Sequence, residues 1–88
     1  MFGFLRNPFK KIEESINYHV IISKEDADEL EYYLEVMYNN PKGKEFRKYL
    51  KPSMVKKGYI FYTDSGVSFI VTSTMADGIT IKAKRYVE

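Results

Sequence analysis

The pattern with the clearest chemical meaning is a basic segment that runs from position 42 to position 57. Its seven bases are Lys42, Lys44, Arg47, Lys48, Lys51, Lys56 and Lys57. Its only acid is Glu45, and the aromatic residues Phe46 and Tyr49 are interleaved with the charges. Because lysine and arginine contact phosphate groups and arginine also reads base edges, this segment is the strongest candidate for binding an anionic partner.

An acidic segment precedes the basic one and offers a second explanation for it. Six acids and no base lie between positions 25 and 35: Glu25, Asp26, Asp28, Glu29, Glu31 and Glu35. The two segments could neutralise each other inside one molecule, or the bases could bind an external partner. The net charge of +2 is too small to imply a polyanionic partner by itself, so both explanations stay open.

Catalytic chemistry has little support in the sequence. The only histidine, His19, could act as an acid or base near neutral pH, but it would need an oriented partner. No serine stands in a strained turn motif, and the chain has no cysteine, so a nucleophilic triad is poorly supported. We therefore expect His19 to be structural or simply exposed, and the protein not to be an enzyme.

Metal and cofactor sites are equally poorly supported. The acids between positions 25 and 29 lack the mid-loop glycine of a calcium loop, and they suit the start of a helix better. The five glycines form neither a dinucleotide-binding nor a Walker motif. We predict no metal site, no cofactor and no small-molecule ligand.

The composition predicts one small soluble domain over residues 1–88. Hydrophobic residues make up 44% of the chain and aromatic residues 16%, which is enough to build a core without disulfides. No apolar run approaches the ~20 residues that a membrane helix needs. The absence of cysteine and of a signal-like start favours a cytoplasmic location.

Several helices and strands are marked by local patterns. Asn7 and Pro8 predict a short helix to about Ser15, and the β-branched run Tyr18–Ile22 predicts an inner strand. Ser23 is placed to cap a helix from about Lys24 to Asn39. An apolar stripe marks its buried face: Ala27, Leu30, Leu34, Met37 and Tyr38.

The rest of the chain predicts one more helix and three strands. Phe46, Tyr49 and Leu50 have helical spacing, so Lys44–Lys51 is predicted as a two-turn helix that Pro52 ends. On that helix Lys44, Arg47, Lys48 and Lys51 would share one face. The predicted strands are Tyr59–Thr63, Val67–Ser73 and Ile79–Val87, joined by turns at Asp64-Ser65-Gly66 and Asp77-Gly78.

The apolar residues at the start of the sequence have two possible roles. Phe2, Phe4, Leu5 and Phe9 could contact a membrane surface or a partner's groove. They could equally fold back to close the core, which is the interpretation we favour.

These elements predict an α+β fold in the order helix, strand, helix, helix and three strands. The same order resembles the winged helix-turn-helix DNA-binding domains over residues 8–73, and that resemblance implies nucleic-acid binding through residues 42–57. The alternative is an antiparallel sheet of about four strands with the helices on one face. Its other face would then carry some of Tyr18, Tyr59, Tyr62, Lys82, Lys84 and Tyr86.

Exposed tyrosines among bases are typical of protein–protein interfaces. We therefore predict a non-enzymatic adaptor or inhibitor that occupies a protein partner, with nucleic-acid binding as the alternative. The predicted binding surface consists of Lys44, Arg47, Lys48, Lys51, Lys56, Lys57, Tyr59, Tyr62, Lys82, Lys84 and Tyr86.

Overall fold

The computed structural model describes residues 13–40 and 43–87, which form a five-stranded sheet and two helices. The strands are β1 (Ile16–Ile22), β2 (Glu45–Leu50), β3 (Ile60–Tyr62), β4 (Ser68–Thr74) and β5 (Thr80–Arg85). The helices are α1 (Lys24–Glu29) and α2 (Glu31–Tyr38), and a 3-10 turn covers Pro52–Met54. The predicted α+β class is confirmed, but the sheet has one strand more than predicted.

The sheet is mixed, with the strand order β2-β1-β5-β4-β3. β1 and β5 run parallel at its centre, and every other neighbouring pair is antiparallel. The prediction of a purely antiparallel sheet was therefore wrong. β1 has hydrogen-bonded neighbours on both edges, which confirms the prediction of an inner strand.

The segment that was predicted to be a helix over Lys44–Lys51 forms strand β2 instead. Val20 lies opposite Phe46, and Ile16 lies opposite Leu50. Phe46 and Leu50 are four residues apart, a spacing that fits one face of a strand as well as one face of a helix. The segment forms a strand because the edge of β1 that faces away from β5 carries backbone N–H and C=O groups that need partners. A neighbouring strand supplies hydrogen bonds along that edge, and a helix would not.

The predicted long helix is present but divided. The Ser23 hydroxyl accepts the backbone N–H of Asp26 at 3.1 Å, which confirms the predicted N-cap. Leu30 leaves helical geometry (φ −106°, ψ 15°) and separates α1 from α2. The second helix ends at Asn39, which takes a left-handed conformation (φ 54°) that asparagine tolerates better than most residues.

The core lies between the helices and one face of a strongly curled sheet. The Phe46 ring on β2 is 5.2 Å from that of Phe69 on β4, measured between ring centroids. Two strands separate β2 from β4, so their rings meet only because the sheet curls around the core. The fully buried side chains are Val20, Leu34, Phe69, Val71 and Ile81.

The remaining predictions concern the chain ends and turns. Most of the predicted Pro8–Ser15 helix lies outside the described residues, as do Phe2, Phe4, Leu5 and Phe9; residues 13–15 are not helical. The predicted turns are present, with positive φ at Gly66 (91°) and Gly78 (78°). Neither helix in the described ranges has the length and apolar character needed to cross a bilayer.

Candidate binding surface on the open face of the sheet

The face of the sheet turned away from the helices carries exposed tyrosines and bases. Strand alternation places Arg47 and Tyr49 on this face of β2, opposite the buried Phe46 and Leu50. Tyr62 lies on β3 at the far side of the same face and is 58% exposed, while Tyr49 is 66% exposed. We call this surface, made by β2, β1, β5, β4 and β3, the open face.

Two lysines occupy the middle of the open face. Lys82 and Lys84 on β5 are exposed, and they alternate with the buried Ile81 and Ala83 as predicted. Lys82 lies opposite Ile21 of β1, and Lys84 lies opposite Ile70 of β4. Apolar side chains therefore flank both ammonium groups. A cavity of about 400 Å³ lies here, lined by Ile21, Thr72, Lys82 and Lys84 among others.

His19 lies between β2 and β5 on this face. Its Nε2 atom is buried and stands 2.9 Å from Oε1 of Glu45, an ion-pair separation although the two groups are not aligned as a hydrogen bond. Across the sheet His19 faces Arg47 on one side and Thr80 on the other. The histidine thus lies beside Glu45, the one acid of the basic segment.

The predicted grouping of four bases on one face was wrong. In a strand, successive side chains point to opposite faces, so Arg47 lies on the open face and Lys48 is half-buried on the other. Lys44 and Lys51 are exposed just before and just after β2. Lys56 and Lys57 are exposed in the turn that leads to β3, and Lys42 is outside the described residues.

The predicted tyrosines also differ in their exposure to solvent. Tyr18 is only 5% exposed and belongs to the core, because it shares a face of β1 with Val20. Tyr59 is half-buried against the core, and Tyr86 is half-buried. Tyr62 is the exposed one. Sequence reasoning left Tyr49 out of the surface, although its alternation with Phe46 and Leu50 was a signal for it.

Two acids of the acidic segment form ion pairs with bases that lie outside the basic segment. Glu29 pairs with Arg85 at 2.7 Å, and Asp28 pairs with Lys24 at 2.8 Å. In the part of the chain that the structure describes, no ion pair joins the helices to the bases between positions 43 and 57. Within the described residues, the helices therefore do not neutralise those bases by ion pairs.

Within residues 13–40 and 43–87, no three imidazole or carboxylate groups come close enough together to hold a metal ion. The open face brings tyrosine rings, cations and a shallow apolar cavity together on one side of the sheet. No protein-family model, curated protein or solved structure matches this chain.

Proposed function

We propose that this chain is a non-enzymatic binding protein that occupies a protein partner through the open face of its sheet. The observation that carries the proposal is the exposure of Tyr49 and Tyr62 on a face that the helices leave uncovered. Tyrosine and arginine are enriched in the centres of protein interfaces, because they bury large areas and still donate hydrogen bonds.

The charges of this face favour a partner with acidic groups. Arg47, Lys82 and Lys84 are exposed between the two tyrosines. Glu45 is the acid nearest to them in the sheet, and it is engaged by His19. Complementary charge would speed association and select against basic partners.

A second candidate is single-stranded nucleic acid. The winged-helix hypothesis needed a recognition helix at Lys44–Lys51, and that segment is strand β2. Tyr49 and Tyr62 nevertheless offer two exposed rings beside Arg47 and Lys84, and bases stack on such rings without sequence preference. This candidate uses the same face by a different chemistry.

Photocrosslinking tests the proposal directly. A photoreactive phenylalanine analogue replaces Tyr49 or Tyr62 and, as the control, Tyr32, which is 79% exposed on α2. Each variant is irradiated in lysate of the source cells, with and without nuclease. We expect a discrete protein adduct from positions 49 and 62 that survives nuclease and is missing at position 32.

Two results would contradict this function. Adducts of equal pattern at all three positions would mean that the open face has no special partner. Adducts that disappear with nuclease would favour nucleic acid, whose affinity should fall steeply with salt, by about 0.7 in log K per phosphate and unit of log salt on a single strand.

A further inference from the structure

Strand β2 is an edge of the sheet, and its outward backbone groups can be assigned from the register. The Ile22 N–H donates to the Lys44 carbonyl at 3.0 Å, so in this antiparallel pair Phe46 and Lys48 also bond to β1. Arg47 and Tyr49 alternate with them. Their N–H and C=O groups therefore point away from the sheet, where a further strand would bond.

Two connected clefts follow this edge. One, of about 260 Å³, is lined by Tyr33 and Met37 of α2 and by Lys48 and Tyr49 of β2, among others. The other, of about 290 Å³, is lined by His19, Asn40 and Glu45, and both clefts share Tyr38 and Arg47. An added strand would thus find backbone partners along β2 and space for its side chains beside α2.

The first cleft combines an apolar floor with polar rims. Tyr38 stacks on Phe46 at 4.6 Å between ring centroids, and its hydroxyl lies 3.4 Å from that of Tyr33. Burial, together with this contact, raises the pKa of Tyr38, and the paired hydroxyls place a polar group at the cleft. Met37 is 47% exposed beside it, and methionine adapts its shape to varied partners.

The charges along the edge select the occupant. Lys44, Arg47, Lys48 and Lys51 stand along or beside the strand, against Glu45, which faces His19, and Asp64 at the rim. Bases on an edge strand discourage pairing with a second copy of the same edge. The same positive charges attract a strand that carries acidic side chains.

The opposite edge of the sheet is less suited to this role. β3 has only three residues, Ile60–Tyr62, and short edge strands limit the number of bonds that a guest strand can form. β2 has six residues, and the carbonyl of its first residue, Glu45, accepts the side-chain amide of Asn40.

We propose that β2 binds an acidic, extended peptide segment of a protein partner by strand addition. The backbone groups of Arg47 and Tyr49 hold the peptide, and the clefts beside α2 take its alternate side chains. This inference rests on the part of the proposed function that gives the chain a protein partner, and not on contact through the open face.

The test uses the purified full chain and a short synthetic peptide in which valine and glutamate alternate. Amide hydrogen exchange, read residue by residue by NMR, should show new protection at Arg47 and Tyr49 when the peptide binds. The amides of Phe46 and Lys48 are already bonded to β1, so their protection should change little. Arg47→Glu should weaken binding about tenfold or more, whereas Lys24→Glu, a similar change of charge at an exposed position of α1, should change it little.

Several outcomes would overturn strand addition. These are no binding of the acidic peptide, binding without protection at Arg47 and Tyr49, or equal binding of a valine–lysine peptide. Preferred binding of an oligothymidylate, or protection that rises with protein concentration alone, would assign the edge to nucleic acid or to a second copy. If crosslinks at Tyr62 fail while the peptide binds, the open-face function is wrong and the edge site stands; the reverse result removes only the edge site.

Discussion

The backbone N–H of Arg85 donates to the side-chain carboxylate of Asp26 at 2.9 Å, across 59 positions of the sequence. This bond ties the first turn of α1 to the end of β5. In a capping box the side chain at the position of Asp26 would bond back to the Ser23 N–H, but the bond seen in the described residues is that of the Ser23 hydroxyl to the Asp26 N–H. The carboxylate serves tertiary structure instead, and the Arg85 side chain adds an ion pair with Glu29.

Removing the Asp26 carboxylate should therefore loosen α1 from the sheet. We expect Asp26→Ala to lower the free energy of unfolding by about 1–2 kcal/mol, because a half-buried N–H loses a charged acceptor. Asp26→Asn keeps a neutral acceptor and should lose less. Asp28→Ala, which breaks only an exposed pair with Lys24, should cost a few tenths of a kcal/mol. Urea melts that rank these variants differently would contradict the role given to Asp26.

The N-cap makes a second, smaller contribution. Ser23→Ala removes the acceptor of the Asp26 N–H and should cost about 1 kcal/mol. Ser23→Asp offers another capping oxygen and should restore most of the loss. Thermal and urea melts of the wild type, Ser23→Ala and Ser23→Asp measure the contribution of the cap to stability. An unchanged midpoint in Ser23→Ala would mean that the cap contributes nothing.

The core should be most sensitive at the centre of α2. Leu34 is fully buried, so Leu34→Ala should destabilise the fold by ~2–5 kcal/mol through lost burial and the cavity left behind. Val36 lies on the same helix but is 57% exposed, and Val36→Ala should change stability by less than about 0.5 kcal/mol. Equal urea midpoints for the two variants would show that α2 does not pack as described.

Acid should weaken the turn between β4 and β5 through Asp77. Its carboxylate accepts hydrogen bonds from the Thr80 hydroxyl and from the N–H groups of Ile79 and Thr80, and these bonds lower the pKa of Asp77 below its ordinary value. A pKa lowered by folding adds stability that is present above the unfolded pKa and is lost as the pH falls through the folded value.

The urea midpoint of the wild type should consequently fall as the pH drops below about 4. Asp77→Asn cannot titrate, so the difference between the two proteins should be largest near neutral pH and should shrink in acid. Glu13, whose pKa is also lowered by its bonds to Ser53, is present in both proteins. Both should therefore still lose some stability in acid. A difference that is independent of pH would contradict the assignment.

The sequence predicted the elements whose signals are local. The β-branched run of β1, the Ser23 cap and the glycine turns each depend on a few adjacent residues, and all three are present. β2 was missed because six residues with Phe46 and Leu50 four apart fit both periods, and only pairing with β1 decides between them. The parallel pairing of β1 with β5 likewise depends on contacts about sixty positions apart.

Part of the candidate surface could also be predicted from the sequence. Lys82, Lys84 and Tyr62 could be placed on one face because alternation in β5 and β3 is clear. Arg47 and Tyr49 join them only when residues 45–50 form a strand, so their placement depends on tertiary pairing. Tyr18 leaves the surface because it shares the buried face of β1 with Val20.

The central position of β5 has a consequence for how the chain folds during synthesis. β1 pairs with β2 and β3 pairs with β4, and among the described strands only β5 links the two pairs by backbone hydrogen bonds. That link cannot form before residues 80–85 have been synthesised. The nascent chain would therefore hold two hairpin-like halves with unpaired inner edges. Such edges attract other strands, so the interval before β5 inserts is the time when this protein is most exposed to misassembly.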